Sequence, residues 1–237
     1  MSEAPLTQEE LDALRRYDTP TVCNALELIV PERRGYGYTV EQLFCARPEL
    51  PPIVGYARTG TTKSMEPYDF GSADAKKQRT DWYEYVATGG PTPSVVLLQD
   101  IDPIPGYGAF WGEVQSNVHK GLGCVGTVTS GSIRDIPDCA EGFQLLAKME
   151  APSHAYVHTV AMDVEVTVAG MTVKPGDLIH ADRQGAVVIP SADAARRIPE
   201  TADLISRREA VLIKASQQPD FDFDKLVKAI GDAAEIH

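Results

Sequence analysis

Residues 112–135 read GEVQSNVHKGLGCVGTVTSGSIRD, and the order of helix and strand within them sets the architecture. GEVQSNVHKGLG predicts a helix, and GCVGTVTSG predicts an apolar strand that Gly123 and Gly131 punctuate before Arg134. SVVLLQDID, at 94–102, reads as a buried strand ahead of them, and DCAEGFQLLAKM, at 138–149, reads as a further helix behind. Strands alternating with helices are the signature of parallel strands joined by crossover helices. A crossover returns the chain to its starting side, so the turns near Gly112 and Gly131 fall at one sheet edge. That edge, at the carboxyl ends of the strands, is where open α/β sheets bind ligands.

Working outward, Thr7 and Glu10 form a capping-box pattern, and Leu11, Leu14 and Tyr17 recur at helical spacing. Pro20 restarts the helix, and Val22, Ala25, Leu26 and Ile29 carry its apolar face to about residue 29. PERRGYGY is loop, RPELPP a rigid connection, and IVGYARTGTT, at 53–62, a strand. KSMEPYDFGSA predicts a long surface loop, and DAKKQRTDWYEYVAT an amphipathic helix stopped by Gly89 and Gly90. After Pro152 the segments HAYVHTV, VEVTVAGMTV, DLIHADRQG and AVVIP are short and β-branched, separated by turns, and predict a meander or small barrel. Ser191 caps a further helix that runs, kinked at Pro199, to about residue 216, and DFDKLVKAIGDAAEI gives a last helix suited to a neighbouring subunit. The reading is one α/β domain over 1–237, with a helical N-terminal arm at 8–29 and a helical C-terminal tail at 191–237.

A net charge of −12 argues against a nucleic-acid partner, whose phosphates need a basic footprint, so an anionic substrate needs a local positive site. Cys23, Cys45, Cys124 and Cys139 stand at no CxxC spacing, which argues against zinc and against a disulfide framework. No apolar run is long enough to span a bilayer and the N-terminus resembles no leader, so a cytoplasmic protein without a membrane partner is expected. The phosphate-loop, dinucleotide, nucleophile-elbow and HExxH patterns are all absent. His119, His154, His158 and His180 read as mostly structural.

What carries chemistry is Glu113 at a helix start, followed by Arg134 and Asp135 at the end of the next strand. Arginine offers a planar fork of donors matching a carboxylate, and the adjacent aspartate offers oxygen to a hard cation such as Mg²⁺. The backbone N–H groups of Glu113, Val114 and Gln115 add donors for a substrate carboxylate. The same Arg–Asp pair also reads as a solvated ion pair at a strand end.

The acid-X20-Arg-Asp pattern from Glu113 to Asp135, together with VKPGDLIHADRQGAVVIP at 173–190, resembles the RraA-like family. YDTPTVCNALE and IVGYARTGTT also look like it, so the resemblance covers about residues 10–215. That family includes metal-dependent 4-hydroxy-4-methyl-2-oxoglutarate/4-carboxy-4-hydroxy-2-oxoadipate aldolases. The resemblance implies an α/β fold of the β/β/α swivelling type, assembled as homotrimers or homohexamers with sites between subunits. It also implies a class II pyruvate aldolase mechanism, often with oxaloacetate decarboxylation. On it, Arg134 holds the pyruvate moiety of a 2-oxo acid, Asp135 ligates Mg²⁺ or Mn²⁺, and Glu113 holds a water on the ion. A further acid is expected from the neighbouring subunit's C-terminal helix, Glu209 or, behind it, Glu200. Asn24 stands where many relatives have aspartate, Glu113 where they have aspartate, and the 154–168 segment looks shorter. With Phe110 and Trp111, the latter read as core, these departures point to a different substrate from that of the best-known members. Two other readings stay open: other metal-assisted chemistry on a keto acid or keto sugar, and a protein-binding regulator of RNase E.

Overall fold

The computed structural model describes residues 4–68 and 71–236. Thr7 and Glu10 close a reciprocal capping box at α1 (Gln8–Leu14), each side chain accepting from the other's backbone N–H. Asp18 caps α2 (Thr19–Ile29) by accepting from the Thr21 N–H. These helices are not a free arm, because Leu11, Leu14, Val22, Ala25 and Leu26 are buried in one cluster with Ile198 and Ala202 from the C-terminal region.

The chain then forms β1 (Phe44–Cys45), β2 (Ile53–Lys63), α3 (Ser72–Thr88), β3 (Ser94–Asp100), β4 (Ala109–Trp111), α4 (Glu113–Gly121), β5 (Cys124–Thr129) and β6 (Ser132–Ile133). It continues through β7 (Gln144–Ala147), β8 (Met149–Glu150), β9 (His158–Met162), β10 (Val166–Val168), β11 (Met171–Val173), β12 (Leu178–Asp182) and β13 (Gly185–Ile189) to α5 (Ala192–Ser216) and α6 (Phe223–Ala234). Of the expected loop at 63–73, residues 69 and 70 lie outside the described residues, and α3 already begins at Ser72.

The main sheet has the order β1-β7-β5-β3-β2-β12-β13, with β9 pairing the far half of β2. Its centre, β2, β3, β5 and β7, is parallel, as the crossover reading requires. Parallel strands are covered on both faces, so their sequences run apolar without a break, and β3 shows both coverings. Val95 and Leu97 pack towards the β10–β11 hairpin, whose Val166, Val168, Met171 and Val173 are buried with them. Val96 and Leu98 pack on the other side with Trp82 and Val86 of α3 and Trp111 of β4.

The helix expected over 138–149 is instead the end of a 3₁₀ turn, Ile136–Asp138, a glycine bend and two strands. Gly142 sits at φ +69°, a left-handed conformation that interrupts helix geometry. Gln144–Ala147 are all buried and extend the sheet beside β5, Gly126 opposite Gln144 and Val128 opposite Leu146. A short apolar run is compatible with either a buried helix or a two-sided strand, and the open edge of β5 selects the strand.

Arg58, in mid-β2, is fully buried, and its guanidinium donates to the carbonyls of Val86, Gly90 and Pro91 at 3.2, 2.6 and 2.9 Å. It thereby satisfies the Val86 carbonyl in the last turn of α3 and two carbonyls of the loop that follows the helix. At the C-terminus, Ser191 caps α5 by accepting from the Ala194 N–H, and the helix continues through Pro199 to Ser216. α6 folds back on its own chain: the Arg208 guanidinium donates twice to the Ile236 carbonyl, and Ala229 and Ala233 are buried. Phe223, Val227 and Ile230 remain exposed along its outer side. Among the described residues no helix is long and apolar enough to cross a membrane.

Candidate active site at the Arg134–Asp135 edge

A second, small parallel sheet, β4-β6-β8, builds the site beyond the end of the main sheet. Trp111 pairs with Ile133, and Ile133 with Glu150. The Arg134 N–H donates to the Trp111 carbonyl at 2.9 Å, so the chain leaving β6 lies against the chain entering α4. Gly112 is the point of contact: a Cβ built on it would stand 3.0 Å from Asp135 Oδ2 and 3.3 Å from Arg134 Cγ. The start of α4 and the Arg–Asp pair, separated by more than 20 residues in sequence, are thus in van der Waals contact.

Among the described residues no side chain caps α4, and its first turn is closed by the Ser116 N–H donating to the Gly112 carbonyl at 3.0 Å. Helix geometry leaves the N–H groups of Glu113, Val114 and Gln115 free of intrahelical partners, directed at whatever lies before the helix. Arg134 Nε stands 3.3 Å from Asp135 Oδ2, and both side chains are well exposed, at 37% and 44%. Asp135 adopts a left-handed backbone, φ 53° and ψ 35°, which aspartate tolerates better than most residues but which still costs about 1 kcal/mol.

Arg134, Asp135, Glu150, Ala151 and Pro152 line an open groove of about 390 Å³. Glu150 carries no local signal in the sequence, because the apolar run before it fits a helix as well as a strand; only its pairing through β6 brings it to the edge. Asp135 and Glu150 at the groove, and Glu113 at the start of the neighbouring helix, offer carboxylate oxygens rather than histidine or thiolate, the donor type that suits Mg²⁺ or Mn²⁺ keeping several waters. The absent side chain at Gly112 leaves room beside Asp135 Oδ2 that a methyl group would fill. Among the described residues of one chain, no three metal-ligating side chains already converge, so any ion here is completed by water, substrate or another subunit. Glu209 and Glu200 lie on α5 and do not line the groove of their own chain.

Behind α4 lies an aromatic layer. His119 is fully buried; its Nδ1 lies 2.7 Å from the Gln115 carbonyl, and its Nε2 accepts from Trp82 Nε1 at 2.9 Å. These partners fix the neutral tautomer with the proton on Nδ1, and burial pulls the pKa down to about 4. His180 is likewise buried, between the Thr19 hydroxyl and the Tyr17 carbonyl, and burial lowers its pKa too. Trp111 is core, 1% exposed and packed on Phe143 and His119. Phe110 instead lines a pocket of about 210 Å³ with Trp82, Tyr83, Gln115 and His158, and the Tyr83 hydroxyl donates to Gln115 Oε1 at 3.1 Å.

A family model described as RraA-like, Aldolase/RraA, matches residues 19–188. An uncharacterised protein of Methanocaldococcus jannaschii is 34% identical over 103 residues, 43% of this chain and 49% of that protein, so the match spans about half of the relative's length. Among solved structures, Streptomyces coelicolor RraAS2, described as an unusual member of the RNase ES inhibitor RraA protein family, superposes with a TM-score of 0.66 at 23% identity, covering 88% of this chain and 97% of its own. An uncharacterised protein of Pseudomonas syringae pv. tomato gives 0.66 at 22% identity, covering 96% and 99%. A structure described as novel cellulases from microbes of the gut ecosystem gives 0.70 at 17% identity, covering 88% and 89%. At such identities the likeness is one of fold, and the chemistry has to be argued from the site.

Proposed function

This chain belongs to the RraA-like family, which includes aldolases as well as RNase inhibitors, and from that premise we propose that it is a divalent-metal-dependent carbon–carbon lyase. The substrate is a 4-hydroxy-2-oxo acid, the product pyruvate, and oxaloacetate decarboxylation the accompanying activity. The observation that carries this reading is the contact at Gly112, which joins an arginine fork, an uncapped helix start and the Asp135 carboxylate in one place.

When bound, Mg²⁺ or Mn²⁺ supplies positive charge for the negative charge that develops on the 2-oxo oxygen, worth several kcal/mol in the transition state. Asp135 would hold it, and Glu113, at the start of α4, would reach it through a bound water. Arg134 binds the substrate carboxylate through its fork, and the N–H groups of Glu113, Val114 and Gln115 add donors to that anion. Glu150 is the acid–base group this chain itself offers: it would accept the C4 hydroxyl proton as the C3–C4 bond breaks and C4 becomes a carbonyl, and return a proton to C3 of the departing pyruvate.

Ile104, Tyr107 and Met149 are exposed, Met149 lying against Gly106 and preceding Glu150 of the groove, and exposed Phe223, Val227 and Ile230 stripe α6. Apolar surface of this kind marks contact with another chain and supports a homotrimer or homohexamer. In it, Glu209 of the partner subunit, or Glu200 of the partner subunit behind it, would complete the carboxylate set.

The test couples pyruvate release to lactate dehydrogenase, with oxaloacetate and 4-hydroxy-4-methyl-2-oxoglutarate as substrates, in Mg²⁺ or in EDTA. Pyruvate released in Mg²⁺ and lost in EDTA is the expected result. Folded, Mg²⁺-supplied protein that releases none from either substrate rejects the lyase reading. Gly112→Ala adds a sharper check, since its methyl must displace the Asp135 carboxylate by a few tenths of an ångström. It is expected to lower kcat/KM about tenfold, as perturbing a metal ligand's support does, with little change in Tm. A variant as active as wild type would mean that the Gly112 contact has no bearing on catalysis.

A further inference from the structure

Arg47 lies in the proline-rich connection between β1 and β2, far in sequence from the site. Its guanidinium reaches the segment just after Asp135, donating from Nη1 to the Ala140 carbonyl at 2.9 Å and from Nη2 to the Cys139 and Ile136 carbonyls at 2.7 and 3.2 Å. Arg47 is itself held, because Gln144 Nε2 donates to its carbonyl at 2.9 Å and Gln144 is fully buried. Within the same segment, the N–H groups of Asp138 and Cys139 turn back to the Asp135 carbonyl at 2.9 and 3.1 Å. From the other side, the Ala140 N–H donates to Ser116 Oγ, whose hydroxyl donates to the Glu113 carbonyl, both at 2.9 Å.

We propose that Arg47 is a positioning residue for the metal site: by gathering the carbonyls of Ile136, Cys139 and Ala140 it holds Asp135 in its left-handed conformation, against Gly112 at the start of α4. The proposal rests on the functional reading above. A left-handed aspartate relaxes readily to other conformations unless its surroundings overdetermine it. Here a planar cation with five donors spans three carbonyls of one turn, two of which, Ile136 and Ala140, also accept the Cys139 and Phe143 N–H groups, and lysine's single ammonium spans such a set less well. The Ser116 relay ties the same segment to the first turn of α4, so the two carboxylates of the site share one support. Outer partners of this kind tune a metal ligand without touching the ion.

The test measures Mn²⁺ affinity from the electron paramagnetic resonance signal of the free ion, in wild type, Arg47→Met, Asp135→Asn and the double variant. Arg47→Met is expected to weaken Mn²⁺ binding about 10- to 100-fold in the wild-type background. With Asp135→Asn already present, it should add less than about threefold, because the ligand to be positioned is gone. An equal effect in both backgrounds, or none in the first, overturns the proposal, since a merely structural arginine makes no such distinction. If Arg47→Met does not fold, Arg47→Lys carries the same comparison with a smaller effect. Amide exchange keeps the test separate from the functional reading. Should wild type bind no Mn²⁺, the metal reading falls, while faster exchange at Asp138 and Cys139 in the variant still shows the clamp. Unchanged exchange there overturns the clamp as well.

Discussion

Arg134→Ala is expected to lower metal-dependent pyruvate release at least about a hundredfold, the scale of losing a donor that stabilises transition-state charge. Arg134→Lys keeps the charge but loses the planar fork, so it should recover only part of the rate, chiefly through KM. Asp135→Asn keeps the shape and removes the charge, and should abolish activity while leaving Mn²⁺ binding much weaker but still measurable. The fold should survive all three. Arg134 and Asp135 are more than a third exposed and face each other at 3.3 Å across a solvated groove, so their ion pair contributes under about 1 kcal/mol. Steady-state kinetics beside thermal melts will separate the two effects. Rates within threefold of wild type in Arg134→Ala would remove the arginine from the mechanism and leave the pair as a solvated strand end.

Acid should destabilise the protein through His119. Its pKa is lowered by burial to about 4 in the folded chain, against about 6.5 when exposed, so below pH 6.5 the unfolded chain binds a proton that the folded chain refuses. Stability is therefore intact above pH 6.5 and lost as the pH falls: about 2 kcal/mol by pH 5 and about 3 kcal/mol below pH 4. Protonation would also turn Nε2 from the acceptor of the Trp82 N–H into a competing donor. His119→Gln, which keeps an acceptor but cannot titrate, should show a much shallower decline when urea unfolding is compared at pH 7.5 and 5. His180 contributes in the same direction and remains in both proteins, so the difference between them isolates His119. Parallel declines would show that the imidazole does not report the acid transition.

The effect reaches the site through α4. The imidazole is tied to the Gln115 carbonyl and the Trp82 indole, and Gln115 also supplies one of the N–H groups at the helix start. The aromatic layer thus fixes the axis of the helix whose first turn faces Arg134. Phe110 and Trp111 stand side by side in sequence, yet strand alternation sends Trp111 into the core and leaves Phe110 at a pocket wall.

The sequence by itself determined the features that need only neighbours a few residues away. The capping box at Thr7, the caps at Asp18 and Ser191, the apolar runs of β2, β3 and β5, and the helix from Glu113 all follow from local spacing and local hydrogen bonds. The crossover logic then placed Glu113 near Arg134, because a strand, helix and parallel strand leave the chain little choice of edge. What only the tertiary structure decided are the matters settled by partners far along the chain. Gln144–Ala147 became strand because β5 offered an unpaired edge, and that in turn carried Glu150 to the groove. Arg58 was drawn into the core by carbonyls at and just after the end of α3, and Arg47 was bound to the Asp135 segment across more than 85 residues. Periodicity records which face of an element is apolar; it does not record which distant carbonyl an arginine will satisfy, because that depends on where the whole chain has already been packed.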